Sequence, residues 1–456
     1  MKKNEIYDIK IVDIGNNGEG IGKISDFVVF IPYTLIGETV RTLILKVNKN
    51  FAFGKALDII EKSEYRVEPV CPYFYKCGGC NLQHINYAMQ LEYKTKIVKT
   101  TLEKQLNINL PMKNCYPSPI SYGYRNKMQL PINEKGIGMY RENSHDLIPI
   151  SNCVLCDDWI KSIIEIIKIY IQKSNISLYN EETNTGYLKH LLVRKIEDTF
   201  SITLVLNNDN IPSQKILISL LNERFKNTYS LFCCVNKIKS NTILTNDIKC
   251  VYGTPTQKAT DFNIEYFISP NSFMQINHEI QNVIYKSILN SINATDTIID
   301  AYSGAGLLSA ILSEKANEVY GIEIVESATK NADALMVHNN INNVKNINGD
   351  CAEILPNLIS DLNHHNKHIS LVLDPPRKGC DKKVIDAILQ SLPNEIYYIS
   401  CNPSTLARDL KLLTKSYTIN SIQPFDMFPQ TKHIETLVKL SCVDSKDNSL
   451  QSNELN

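Results

Sequence analysis

Asp300-Ala301-Tyr302-Ser303-Gly304-Ala305-Gly306 is the stretch on which the fold turns. It joins an apolar strand candidate, Thr297 to Tyr302, to a helix opened by Gly304-Ala305-Gly306. Glycines at such a junction let a ligand approach the backbone closely. Position 309 is Ser, so the pattern departs from the dinucleotide G-x-G-x-x-G, and a pyrophosphate ligand is not favoured. Outward from this junction, Glu318 to Ile324 reads as a strand and Ser327 to Asn339 as a helix. Ile369 to Leu373 and Ile396 to Ser400 read as further strands. The alternation predicts an α/β unit over 266–442, a doubly wound parallel sheet of Rossmann-like type.

Ligands of such sheets bind at the carboxyl ends of the strands, and the acidic residues there suggest which ligand. Glu323 follows Gly306 by 17 residues and ends the second strand, where a carboxylate accepts hydrogen bonds from two ribose hydroxyls. Asp350, after a third strand, is placed to meet an adenine edge. Adenine and ribose without phosphate fit S-adenosylmethionine. Asp374-Pro375-Pro376-Arg377 closes another strand, and its prolines impose a rigid extended turn on Asp374. Ser400-Cys401-Asn402-Pro403 follows the next strand, with Ser404 expected to cap a helix from Thr405 to Leu413. That places Cys401 beside a helix N-terminus, which lowers a thiol pKa and favours a nucleophilic thiolate. Glu435, in His433-Ile434-Glu435-Thr436, begins an apolar stretch near the end of the sheet.

Upstream, several short strands broken by Gly and Pro mark residues 1–60 as a small oligonucleotide-binding-like β-barrel. Residues 61–265 read as mixed α+β, with strands at Lys127 to Ile132, Gly136 to Arg141, Leu188 to Arg194 and Ser201 to Asn207. An apolar helix from Asp158 to Gln172 should be buried. Residues 443–456 are polar and expected to be a disordered tail. The 456 residues, 43% hydrophobic and 21% charged, exclude a fibrous or wholly disordered chain and are too many for one ordinary domain. No apolar run is long enough for a membrane span, and no signal-peptide core follows the N-terminus, so a cytoplasmic protein is expected. The 48 basic and 48 acidic residues cancel, yet Glu61 to Leu130 holds ten Lys/Arg against five Asp/Glu, a local basic excess suited to a polyanion.

Thirteen cysteines, an odd number without a secretory signal, suggest metal ligation or thiol chemistry rather than disulfides. Cys71, Cys77 and Cys80 are closely spaced, the last two flanking Gly78-Gly79, and Cys153 or Cys156 offers a fourth thiol. Such a set fits either a tetrahedral zinc or an iron–sulfur cluster.

These motifs together resemble the RNA uracil-5-methyltransferases, the family of bacterial 23S rRNA 5-methyluridine enzymes with a tRNA member, from about residue 4 to 441. Residues 1–60 resemble the TRAM domain, an RNA-binding barrel. Cys71-Pro72-Tyr73-Phe74-Tyr75-Lys76-Cys77-Gly78-Gly79-Cys80-Asn81-Leu82-Gln83-His84 resembles the family's 4Fe–4S motif. The resemblance implies that Cys71, Cys77, Cys80 and Cys153, the last preceding Val154-Leu155, are the metal ligands; Cys156 is extra to the pattern. Ser269-Pro270-Asn271-Ser272-Phe273-Met274-Gln275-Ile276-Asn277 resembles a motif whose glutamine contacts the methyl donor. By the same resemblance Gln275, Tyr302, Glu323 and Asp374 bind S-adenosylmethionine. Ser400 to Leu410 and Phe425 to Glu435 resemble the nucleophile and C-terminal signatures, implying Cys401 as nucleophile and Glu435 as base. The implied partner is RNA, 23S rRNA ahead of tRNA, acted on by a monomer with no membrane contact. A non-catalytic iron–sulfur RNA-binding protein is the alternative of a different class.

Overall fold

The computed structural model describes residues 1–443 apart from 109, 295, 365 and 366. Five strands come first: β1 (Ile6–Ile14), β2 (Gly20–Ile24), β3 (Phe27–Ile31), β4 (Thr39–Val47) and β5 (Phe51–Glu61). They close into a barrel in the order β1-β2-β3-β5-β4. Strand alternation turns Ile9, Ile11, Val29, Ile31, Val40 and Ile44 into its core.

Helix α1 (Tyr87–Leu106) starts where the Asn86 side chain accepts a hydrogen bond from Met89 N at 2.9 Å. The sequence placed this stretch with the central region. Its Val98 and Leu102 are instead buried with Leu406, Leu410 and Leu413 of the C-terminal unit.

The central sheet uses β6 (Lys127–Asn133), β7 (Gly136–Tyr140), β8 (Leu147–Pro149), β9 (Leu188–Ile196), β10 (Thr199–Leu206), β11 (Tyr229–Val235) and β12 (Ile248–Tyr252), in the order β12-β11-β10-β9-β6-β7-β8. Helices α2 (Trp159–Ser174) and α3 (Gln214–Phe225) cover it. As expected for an apolar helix, α2 buries Ile160, Ile163, Ile164, Ile167 and Tyr170. A hairpin, β13 (Gln257–Asp261) and β14 (Ile264–Ile268), leads onward.

The C-terminal sheet is built from β15 (Thr297–Ala301), β16 (Glu318–Glu323), β17 (Val344–Asn348), β18 (Ile369–Leu373), β19 (Glu395–Ser400), β20 (Tyr417–Phe425) and β21 (Glu435–Cys442). The helices are α4 (His278–Ser291), α5 (Leu307–Leu312), α6 (Glu326–His338), α7 (Cys351–His364), α8 (Lys382–Ser391) and α9 (Pro403–Leu413). The strand order is β17-β16-β15-β18-β19-β21-β20. The expected parallel sheet holds for β15 to β19 only; β21 runs antiparallel to β19, and β20 antiparallel to β21. A direct loop from β20 to β21 can only return the chain antiparallel, whereas each parallel step needs a helical crossover.

The tail expected over 443–456 lies, from residue 444 onward, outside the described residues; Val443 N donates to Ser416 O at 2.9 Å. Among the described residues, no helix is long and apolar enough to cross a membrane.

Candidate active site

Strand register brings the sequence-selected residues to one edge. Ala301 pairs with Leu373, and Leu373 with Tyr398, so Tyr302, Asp374 and the β19 terminus emerge side by side. Ser400 pairs with Thr436 in the antiparallel β19–β21 ladder, which sets Cys401 and Glu435 opposite each other one step beyond the last pair.

The glycine turn is shaped by close approach. Tyr302 and Gly306 both have left-handed backbones, with φ of 71° and 83°. A Cβ on Gly306 would sit 2.7 Å from that of Ala332 on α6, so only glycine fits. The glycines precede rather than enter α5, which starts at Leu307. Glu323 accepts from Gly304 N at 3.0 Å and from Val325 N at 2.8 Å, one bond to each oxygen. It is thereby fixed beside the turn with lone pairs to spare. Asp350 is exposed and accepts from Ala352 N at 2.9 Å at the start of α7. Gln275 lies in the loop before α4; its carbonyl accepts from Asn126 Nδ2 at 2.9 Å, and its side-chain amide has no hydrogen bond to a described residue. Buried Arg194 holds the same loop through Ser269 O and Ser272 O.

The nucleophile candidate differs from expectation in two respects. Asn402, not Ser404, caps α9, its side chain accepting from Ser404 N at 3.0 Å; Pro403 takes the first helical position. The Cys401 thiol is not lowered. Burial pushes it up to about 11, with Glu435 and Asp374 raising it further and Arg377 opposing them. Desolvation and the two carboxylates hold the thiol up although it stands just before α9.

Burial likewise pushes Asp374 up to about 7 and Glu435 well above the usual carboxylate range, the latter also through Asp374. Asp300, which accepts from Ser309 Oγ at 2.6 Å, is raised to about 7 chiefly by burial. Two residues without an assigned role join this group. Arg377 acts electrostatically on both Cys401 and Glu435, and its carbonyl accepts from Asn402 Nδ2 and Thr405 Oγ1, both at 3.3 Å. Tyr285 of α4 lies within electrostatic reach of Asp374, Asp300, Asp261 and Glu435. The Arg377 signal was present in Asp-Pro-Pro-Arg; Tyr285 sits on an ordinary amphipathic helix and carries none.

Cys71, Cys77, Cys80 and Cys153 line one cavity with about 440 Å³ of empty space, part of it open to solvent. Cys156 does not line it; it is buried in the central core, and its thiol donates toward Cys153. A Cβ on Gly78 would meet the Glu142 backbone at 2.7 Å, so glycine is required where the turn between Cys77 and Cys80 is pressed against the neighbouring chain. Among the described residues, no three His, Cys, Asp or Glu side chains stand ready to ligate a single metal ion. Cys115 is a core residue, its N–H donating to Thr95 Oγ1 at 2.8 Å.

Comparison with known proteins agrees with this arrangement. Residues 86–443 match the family model described as tRNA (uracil-5-)-methyltransferase, and residues 2–57 match the TRAM domain. An "uncharacterized RNA methyltransferase" of Clostridium acetobutylicum is 40% identical over 97% of this chain and 98% of its own. One from Bacillus cereus is 35% identical over 97% and 98%. The crystal structure of the Pyrococcus abyssi tRNA (uracil-54, C5)-methyltransferase with S-adenosyl-L-homocysteine is 26% identical, with a TM-score of 0.77 over 95% of this chain and 99% of that one. An α/β sheet with a TRAM barrel ahead of it, matched along nearly the whole chain, places it in the tRNA (uracil-5-)-methyltransferase family.

Proposed function

We propose that this protein methylates uridine at C5 in RNA, with S-adenosylmethionine as methyl donor. The observation that carries the reading is the meeting of Cys401 and Glu435 across β19 and β21, at the edge where Tyr302 and Asp374 end their strands. The donor supplies an electrophilic methyl on a sulfonium; Gln275, Tyr302, Glu323 and Asp374 are the residues we assign to hold it.

Uracil C5 is a poor nucleophile. The Cys401 thiolate adds to C6, forming a C–S bond and shifting the electron pair onto C5 and O4. C5 takes the methyl, and the sulfonium becomes a neutral thioether. The Glu435 carboxylate then removes the C5 proton, the C5–C6 double bond re-forms, and Cys401 leaves as thiolate. Arg377 favours the thiolate at both ends of the cycle. Holding donor, uracil and thiol in line supplies roughly 7–11 kcal/mol of the barrier. The base must first leave its stack, because its faces are covered in a helix.

We infer that Cys71, Cys77, Cys80 and Cys153 hold a 4Fe–4S cluster with a structural role in the RNA-binding surface. We assign 23S rRNA as the substrate, by the resemblance of the cysteine-bearing central region, and place a monomer in the cytoplasm. A tRNA substrate is the second reading, favoured by the Pyrococcus relative's own substrate. Labelled S-adenosylmethionine with unmodified 23S rRNA and with unmodified tRNA, followed by nucleoside mass spectrometry, tests both. 5-Methyluridine in one RNA identifies reaction and substrate together. Its absence from both sinks the reading in favour of a non-catalytic RNA-binding protein. A 5-fluorouridine RNA should stall as a covalent complex only with a uracil C5 enzyme.

A further inference from the structure

The loop from Asp426 to Ile434 joins β20 to β21 and ends on Glu435. Glu435 is only 3% exposed, and its carboxylate accepts no hydrogen bond from a described residue. Its place is therefore set by the backbone on either side. On one side Glu435 pairs with Phe425 in the hairpin. On the other, the loop is held by groups outside the sheet.

Gln430 is the centre of that hold. It is 2% exposed and has a left-handed backbone, φ 68°, which a non-glycine residue adopts only under constraint. Gln430 N donates to Gln90 Oε1 at 3.1 Å, and Gln90 Nε2 donates back to Gln430 Oε1 at 3.0 Å. Gln90 Nε2 also donates to Leu82 O and Ile85 O, at 3.2 and 2.8 Å. Gln430 O accepts from Asn81 N and Leu82 N, at 3.1 and 3.0 Å. Both backbone polar groups of this residue thus bind α1 and the turn that directly follows Cys80. Neighbouring loop residues are tied to the same surroundings. Lys94 Nζ donates to Asp426 Oδ1 at 2.5 Å and Phe428 O at 3.0 Å, Tyr124 OH to Pro429 O at 3.1 Å, and Lys432 Nζ to Glu142 Oε1 at 3.1 Å.

We propose that Gln90 and Gln430 are positioning residues for Glu435, through which helix α1 and the cysteine-bearing turn hold the proton-accepting carboxylate at the reaction site. The proposal rests on the reading of Glu435 as the base. Without the Gln90 amide, the Gln430 N–H is buried and unpaired, and the strained backbone loses the bond that keeps it there. The displacement reaches Glu435 five residues later. A shift on the order of 1 Å at a reacting group costs about a hundredfold in rate. The step that suffers is proton removal, which comes after methyl transfer.

The test uses the full-length protein, Gln90→Ala, Gln430→Gly, their double variant and Glu435→Gln. Each is mixed with donor and whichever unmodified transcript, 23S rRNA or tRNA, the wild type methylates. Single-turnover methyl transfer and the lifetime of the covalent protein–RNA species on a denaturing gel are read together. Gln90→Ala and Gln430→Gly should transfer methyl within about threefold of wild type, while the covalent species persists at least about tenfold longer. The double variant should be no slower than Gln90→Ala alone, because Gln90→Ala already removes both bonds to Gln430, the side-chain bond lost in Gln430→Gly among them. Gln430→Gly retains easy access to the left-handed backbone and removes only the Gln90 Nε2 to Gln430 Oε1 bond, so it tests the side-chain half of the hold if Gln90→Ala does not fold. Wild-type lifetimes in the glutamine variants, or parallel loss of transfer and resolution, overturn the positioning role. Normal resolution in Glu435→Gln overturns the base assignment itself, so the two failures are distinguishable.

Discussion

Raising the pH from 7 to 10 should increase the rate at which iodoacetamide alkylates Cys401 by about a thousandfold. The thiol sits at about 11, because burial, Glu435 and Asp374 outweigh Arg377. Each unit below that value costs a factor of ten in thiolate, leaving about one thiol in ten thousand ionised at pH 7 and about one in a thousand at pH 8. A thiol held near 7 by the start of α9 would gain only about twofold over the same range. Peptide-resolved mass spectrometry separates Cys401 from the other twelve cysteines, with exposed Cys250 as an internal reference. Arg377→Ala should lower the pH 8 rate about two- to fivefold, the worth of one solvent-screened charge. Glu435→Gln should shift the rate the other way once Glu435 would have ionised. A rate that levels off by pH 8 refutes the reasoning, since it would mean that the helix N-terminus governs the thiol in the free protein.

The buried carboxyls at Asp300 and Asp374, each near 7, bind more protons folded than unfolded between roughly pH 4 and 7. Their contribution to stability is therefore present at low pH and lost as pH rises through 7; Asp374→Asn should flatten the decline of Tm between pH 5 and 8. Breaking the Lys94–Asp426 pair, 1% and 0% exposed, by Lys94→Met should cost about 3–5 kcal/mol in urea unfolding by stranding a buried charge. Replacing both partners with apolar residues should cost less. Gly306→Ala, which forces a left-handed alanine against Ala332, should lose about 1–3 kcal/mol and weaken donor binding with it, as calorimetry would show. Glu323→Gln should weaken donor affinity about 10- to 100-fold in titration calorimetry and lower Tm slightly, because the amide oxygen can accept from only one of Gly304 N and Val325 N.

Much of this molecule is determined locally, and so can be read along the chain. The barrel strands follow from alternation and turn residues, and Ile369–Leu373 falls where the pattern puts it. The Gly304–Gly306 turn, the Asp374-Pro375-Pro376 stop and the Cys401 junction are likewise short-range: a few consecutive residues carry both the backbone geometry and the chemistry. Three features depended on distance in sequence. The antiparallel return of β21 sets Glu435 opposite Cys401, 34 positions away in the chain, through ladder register that no local period encodes. The state of the Cys401 thiol does not follow from its helix, because Glu435 and Asp374 reach it from other strands and burial adds to them. Helix α1 belongs in space to the core beside α9, and its Gln90 meets Gln430 from 340 residues away. Side-chain period and turn chemistry act over a handful of residues, so sequence alone determines elements and their functional ends. Burial and electrostatic fields sum over everything nearby, so only the tertiary structure decides which carboxylate faces which thiol, and what proton each one holds.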